Sequence, residues 1–356
     1  MSRLQRKDEH LRQSLSMAPR EADFADISFI HNCLPNLDFN EVKAETKIMG
    51  RTFRSPLFLN AVTGGTLRAK KVNEALAGVA AELELPMAVG SQMAALESRS
   101  ALESFTVVRQ NNPAGAIWAN IGSYADAAMA KEAIEMVSAD AIQIHLNVPQ
   151  ELFMKGGDRS FKGILERVAS IVESVEVPVI AKEVGFGVAA EQAEQLLHAG
   201  VKALDIGGRG GTNFLYIESR SSGRRLNRPL LNWGLPTALS LLETAPVVKG
   251  RADLFAAGGV NTAMAAAKSL AIGACAVGMA GMPVYLLLKW GRKALVNKLR
   301  AIERDLQAIM LMVGASSIAE LQQVPLVITG RSAEWMQRRG MDPDHYARRA
   351  SLNGQV

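Results

Sequence analysis

The sequence predicts an α/β protein: a closed (β/α)8 TIM barrel with an N-terminal arm and a helical C-terminal extension. Three observations predict it. Eight short apolar runs lie between residues 56 and 281, separated by helix-like segments. Most runs are continuously apolar, as strands buried on both faces are. The length, 356 residues, suits a barrel of ~250 residues with additions at both ends.

The runs occupy 56–63, 86–91, 116–123, 141–149, 178–185, 203–208, 253–260 and 275–281. Helical segments at 67–83, 125–137, 163–175, 189–198, 236–244 and 262–271 are long enough for the crossovers that parallel strands require. Residues 200–208 and 273–281 repeat one plan: a helix-ending glycine, an apolar strand, then a glycine at the strand's exit. A doubly wound open sheet would also repeat βα units. Eight units, with no fingerprint glycine loop opening the first, favour the barrel.

Around the core (56–281) lie a polar arm (1–45), an Arg- and Ser-rich insertion (209–232) and a C-terminal section (282–356). The whole reads as one domain. In the last section Leu287, Val296, Leu299, Ile302, Leu306 and Ile309 recur at helical spacing, expected of a barrel helix extended for subunit packing. The uncharged stretch 269–288 is about as long as the ~20 residues that span a bilayer. Gly273, Gly278, Gly281 and Pro283 divide it into a helix end, a strand and a helix start, so no membrane partner is expected.

Forty basic against 35 acidic residues leave a net charge of +5, and aromatics are only 5%. That excludes a basic, base-stacking surface for nucleic acid but suits a site for anions. Two cysteines, Cys33 and Cys275, make no disulfide framework, and reduced thiols suit the cytoplasm. The first ten residues lack the apolar core of a secretory leader.

In a parallel barrel the chemistry sits at the C-terminal strand ends. Gly258, Gly259, Ala280 and Gly281 follow the last two strands and precede helix starts, an arrangement that either binds phosphate or simply makes tight turns. Lys182 on an apolar strand needs an anionic partner, either a ligand or one of Glu183 and Asp205. His145 and Asn147 share one side of their strand by period two, beside Gln150 and Glu151. A lone histidine is ordinarily a core residue, but four polar groups at one strand exit point to a polar site. Arg6, Lys7 and His10 form either a solvated charge run or a clamp for a diphosphate. No His-x-x-x-His pair, cysteine cluster, nucleophile elbow or Walker loop is present. A single Glu151 suits Mg²⁺ held largely by waters and phosphates.

The segments 6–10, 61–65, 89–92, 120–122, 145–151, 182–185, 207–212 and 258–259 occur together and in order. In them the chain resembles the type 2 isopentenyl-diphosphate isomerases, flavin-dependent barrel enzymes of isoprenoid synthesis, over nearly its whole length. The resemblance implies FMN bound by Ala61, Val62, Thr63, Ser91, Asn120, Lys182, Thr212, Gly258, Gly259, Ala280 and Gly281. It implies a diphosphate substrate held by Arg6, Lys7, His145 and Asn147, with Gln150 by the reacting carbons and Mg²⁺ on Glu151. NADPH would only reduce the flavin, and relatives are usually tetramers or larger. The chain departs from the family pattern at Val62, where many relatives carry methionine, and at Met93, where many carry arginine. An alkene is a poor base and Gln150 no acid, so the reduced flavin would handle the proton, with Lys182 stabilising its anionic form. His145, Gln150 and Lys182 are therefore the expected catalytic residues.

An FMN-dependent oxidoreductase of the 2-hydroxy acid oxidase type is the alternative. It would need a histidine base and carboxylate-binding arginines near strands six to eight, where only Arg209 stands. A silent phosphate-binding barrel would not need the arm, the Gln-Glu pair and the lysine together. The type 1 isomerase, built on a cysteine and a glutamate with metal, is disfavoured by the placement of both cysteines.

Overall fold

Eight parallel strands close into a barrel in this computed structural model, which describes residues 19–349. Before the barrel come β1 (Ile27–Phe29), β2 (Thr46–Ile48) and β3 (Arg51–Phe53). The barrel strands are β4 (Leu57–Leu59), β5 (Met87–Ala88), β6 (Ile117–Gly122), β7 (Ala141–Leu146), β8 (Val179–Glu183), β9 (Ala203–Asp205), β10 (Asp253–Ala257) and β11 (Ala276–Met279). They follow the ring in chain order, and β11 closes it by pairing Val277, Gly278 and Met279 with Leu57, Phe58 and Leu59. Each strand falls inside one apolar run. The runs are longer because their last residues leave the ladder to build the mouth.

Helices Leu67–Leu83, Ala127–Val137, Ile164–Ser174, Ala190–His198, Thr237–Val248 and Ala263–Ile272 occupy the expected segments. Several begin at a side-chain cap that satisfies an otherwise orphaned N–H: Thr66 accepts from Ala69, Asp126 from Met129 and Thr262 from Ala265.

The two-residue strand period builds the interior in layers. Phe58, Trp118, Ile180 and Phe255 point inward from alternate strands, and Ala88, Ala141, Ala203 and Ala276 from the strands between. Four large residues thus interleave with four alanines, the layer filling expected of a barrel core. Trp118 stacks on Phe255 with ring centroids 5.6 Å apart, and Phe58 meets Trp118 at 4.9 Å. One step up the same parity the residues turn polar: Asn60, Asn120, Gln143, Lys182 and Asp205, all buried. An apolar floor therefore supports a polar layer just under the mouth.

A hairpin of β2 and β3 plugs the lower end, adding Ile48 and Phe53 to the floor. Its turn residues Met49 and Gly50 both have positive φ, 47° and 81°, the backbone twist that a two-residue hairpin favours. β1 pairs antiparallel with β12 (Leu326–Ile328), fastening the start of the described chain to its end.

Helix Gly281–Met312 is interrupted at Gly291, whose backbone is non-helical. Beyond it Val296, Leu299, Ile302, Leu306 and Ile309 are buried, on a helix that packs against Leu67–Leu83 and Ala263–Ile272 of the same chain. The stripe read as a subunit surface is thus part of the barrel's own wall; Leu288 and Trp290, before the break, are exposed. The stretch 269–288 is the expected helix end, strand and helix start. Among the described residues no helix is long and apolar enough to cross a membrane.

Candidate active site

The C-terminal strand ends open into a cavity of about 190 Å³. Its walls include Ala61, Val62 and Thr63 after β4, Lys182 on β8, Thr212 after β9, Gly258 and Gly259 after β10, and Ala280 and Gly281 after β11. Nine of the positions expected to hold FMN therefore meet at one opening. Gly258 and Gly259 have φ of +102° and +86°. A Cβ on Gly258 would stand 2.0 Å from the Gly208 carbonyl oxygen, and one on Gly259 2.3 Å from that of Gly210. The loops after β9 and β10 cross backbone to backbone, which only glycine permits. A glycine-walled cradle leading into two helix starts fits a flat ring with a phosphate tail.

Of the two readings of Lys182, the internal ion pair is present, and the residue also lines the cavity. It borders the cavity, and its Nζ donates to Asp205 Oδ2 at 3.0 Å. Asp205 is fully buried, so its carboxylate keeps the cation in an otherwise apolar strand. Glu183 faces away from this pair. Its carboxylate accepts the backbone N–H of Phe186 at 2.6 Å and of Gly187 at 2.9 Å, pinning the loop after β8. Burial pushes its pKa up to about 8 against those two donors.

From Asp205 a line of side-chain amides crosses the polar layer. Asn60 Nδ2 donates to Asp205 Oδ2 at 2.6 Å, Gln143 Nε2 to Asn60 Oδ1 at 3.2 Å, and Asn120 Nδ2 to Gln143 Oε1 at 2.8 Å. His145 Nδ1 lies 2.9 Å from Asn120 Oδ1. Gln92 brackets the Asn120 backbone, accepting its N–H at its side-chain oxygen and donating its own N–H to the Asn120 carbonyl. Asn120 thus reaches the site through this network, and Ser91 stands at the exit of β5; neither borders the cavity.

At the exit of β7 the chain turns into helix Val148–Phe153, with Pro149 in its first turn. Asn147 Nδ2 donates to Gln150 Oε1 at 3.3 Å and to Glu151 Oε1 at 3.0 Å. Gln150 is buried, and its Nε2 donates to Glu218 Oε1 at 3.0 Å. Glu151 Oε2 accepts the backbone N–H of Asp158 at 3.0 Å. Glu218 comes from helix Phe214–Ser222 of the insertion, whose Phe214 and Ile217 line the cavity. The insertion is therefore a wall of the site.

Arg6 and Lys7 lie outside the described residues. The chain enters view at the mouth, where Pro19 and Arg20 border the cavity. Ala22 donates its N–H to Gly259 at 2.8 Å, and Asn261 Nδ2 donates to the Arg20 carbonyl at 2.7 Å. Arg209 faces an adjoining cavity of about 380 Å³, shared with Arg331. Burial, then Arg331, lowers its pKa. Met93 is buried in the apolar core. Among the described residues no three His, Cys, Asp or Glu side chains cluster as metal ligands.

Asn60, Gln143 and Asp205 lie within the apolar runs 56–63, 141–149 and 203–208, and the sequence alone assigns them no joint role. The period-two rule that paired His145 with Asn147 also reaches Gln143, and was the available signal. Glu218 had no signal, because it sits mid-helix in a segment read only as Arg- and Ser-rich.

Comparison with known proteins gives the family. The sequence profile of the FMN-dependent dehydrogenase family matches residues 7–148 and 152–327. The chain is 44% identical to the isopentenyl-diphosphate delta-isomerase of Bacillus pumilus over 99% of each chain. It is 46% identical to that of Bacillus cytotoxicus over 98% of this chain and 100% of the relative. A mandelate oxidase solved with a monooxide FMN adduct superimposes with a TM-score of 0.64 at 18% identity, covering 91% of this chain and 92% of that one; this likeness concerns the fold. On the profile match and the near full-length identities, the chain belongs to the FMN-dependent dehydrogenase family and, within it, to the type 2 isopentenyl-diphosphate delta-isomerases.

Proposed function

We propose that this chain binds FMN in the glycine-walled cavity and interconverts isopentenyl and dimethylallyl diphosphate by a 1,3-allylic proton shift. One observation carries the reading: Lys182, buried and ion-paired, faces the same mouth as the His145–Asn147–Gln150–Glu151 set. When bound, reduced FMN would supply the acid–base chemistry, because the amide of Gln150, the side chain expected at the reacting carbons, neither gives nor takes a proton.

The residues divide the remaining work. Lys182, held in place by its ion pair with Asp205, would stabilise negative charge at the cavity wall. Gln150, held by Asn147 and Glu218, orients the reacting carbons without giving or taking a proton. His145 and Asn147 contribute donors to the diphosphate, joined by Arg6 and Lys7 from the arm that reaches the mouth through Pro19 and Arg20. Ala61, Val62, Thr63, Thr212, Gly258, Gly259, Ala280 and Gly281 would cradle the cofactor at the cavity wall, with Ser91 at the exit of β5 and Asn120 in the polar layer behind them. Glu151 would hold Mg²⁺ with its one carboxylate, and the ion would supply positive charge to the diphosphate. NADPH is needed only to reduce the flavin. In this reading the chain works in the cytoplasm as a homo-oligomer of four or more copies, a state that sedimentation measures directly.

The 2-hydroxy acid oxidase alternative lacks its base: among the described residues no histidine stands at the exits of β9, β10 or β11. The discriminating experiment adds mandelate, lactate or glycolate anaerobically to the FMN-loaded protein. The flavin absorbance stays oxidised if the isomerase reading is right. Rapid bleaching by any of them would replace it with the oxidase.

A further inference from the structure

The amide line between Asp205 and His145 has a direction. A carboxylate only accepts, so Asn60 must present its NH₂ to Asp205. The backbone N–H of Ala61 only donates, and it reaches Asn60 Oδ1 at 2.8 Å, so the carbonyl end of Asn60 is fixed as well. Gln143 must then give its NH₂ to Asn60 and turn its carbonyl to Asn120. Asn120 in turn gives its NH₂ to Gln143 and offers its carbonyl to His145. At the end of the line only a proton on Nδ1 completes the 2.9 Å contact. Every amide in it is at least 97% buried, and flipping any one would set two donors or two acceptors against each other with no water to relieve them.

We propose that Asp205, Asn60 and Gln143 are positioning residues that lock the His145 ring as its Nδ1–H tautomer, turning Nε2 into the nitrogen that gains and loses the proton. Nδ1 keeps its hydrogen bond to Asn120 in the neutral and the charged ring alike, so a proton gained or lost at Nε2 leaves the amide line in place. Asp205 thereby serves two ends of the mouth, pairing with Lys182 directly and setting His145 through three amides. The line stands whatever the substrate. Its use in turnover, with Nε2 meeting the diphosphate, rests on the isomerase reading.

The test is the tautomer itself, read from long-range ¹H–¹⁵N correlation spectra of the FMN-loaded protein labelled with ¹⁵N-histidine, at a pH where the ring is neutral. His145 is identified as the signal lost in His145→Gln. The expected spectrum has Nδ1 at a protonated shift and Nε2 at a lone-pair shift. Gln143→Met removes both ends of the central amide, and an Nε2–H population should appear. Gln143→Glu still turns an acceptor to Asn120 whether ionised or protonated, so the Nδ1–H form should persist there. A merely structural role predicts the reverse order, because a buried acid disturbs the layer more than methionine does. An Nε2–H ring in the wild type, or an unchanged spectrum in Gln143→Met, overturns the proposal. Should the methionine variant fail to fold, the wild-type and Gln143→Glu spectra still decide it. Turnover is scored separately: a loss in Gln143→Met of ~10-fold or more that Gln143→Glu largely restores supports the use of Nε2. Equal turnover in both would overturn that use and leave the tautomer result standing.

Discussion

Lys182 shows most clearly how one residue carries both stability and chemistry. Alanine there removes the cation from the cavity wall and leaves Asp205 buried without its counter-charge. Steady-state kinetics should show kcat down by ~10²–10³-fold, the scale of losing one preorganised electrostatic contact, with KM within a few-fold. Normal turnover in flavin-loaded Lys182→Ala would remove the residue from the mechanism. The neighbouring Glu183 makes a separate prediction. Its folded pKa of about 8 lies above the ordinary carboxyl value, so between pH 4.5 and 8 the folded state holds a proton that the unfolded state has lost. Stability should fall as pH rises through this window, by up to about 1.4 kcal/mol per pH unit from this group. Urea titrations of wild type and Glu183→Gln at pH 5.5 and 8 would show a shallower slope in the variant; parallel slopes would contradict it. At this scale the sequence left Lys182 open between a ligand and an internal ion pair. The partner, Asp205, is 23 residues away, and only the barrel register, which sets the two opposite each other, makes them neighbours.

Among the elements, the strands were legible because burial on both faces writes them as continuous apolar runs, and the helices because their caps and periodicity agree. The hairpin of β2 and β3 and the β1–β12 pair were not, since three-residue strands give too few alternations to read. Inward parity makes two predictions here. Trp118→Ala opens a void among Phe58, Phe255 and Ile180 and should cost about 3–5 kcal/mol, measured by chemical denaturation. A cost below 1 kcal/mol would show that the floor is not packed as described. Gly258→Ala sets a methyl against the Gly208 carbonyl at a positive φ, a conformation that alone costs ~1–2 kcal/mol. FMN titration should show affinity weakened ~10-fold or more, while unchanged affinity would separate this crossing from the cofactor cradle.

Across the whole molecule, segments near both limits of the described residues fasten the barrel from outside. Glu243, buried on helix Thr237–Val248, accepts from Trp335 Nε1 at 2.8 Å, Arg339 Nε at 2.8 Å and Ala190 N at 3.2 Å. These donors hold its carboxyl below the ordinary value against the effect of burial. Arg339→Ala should cost about 2 kcal/mol, short of the ~3–5 of a fully buried pair because the arginine is partly exposed and the other donors remain. A thermal midpoint within 1 °C of wild type would count against this clasp. The sequence read the C-terminal section as helical but gave no hint of the clasp, whose partners stand 92 and 96 positions apart. The site was legible where a strand exit concentrates polar residues, and illegible where the insertion folds back to deliver Glu218. The most direct measurement of the central claim is an anaerobic incubation in D₂O of FMN-loaded protein with isopentenyl diphosphate, Mg²⁺ and NADPH far below substrate, followed by NMR. An isomerase yields deuterated dimethylallyl diphosphate over many turnovers per NADPH. NADPH consumed one-for-one with substrate would contradict it.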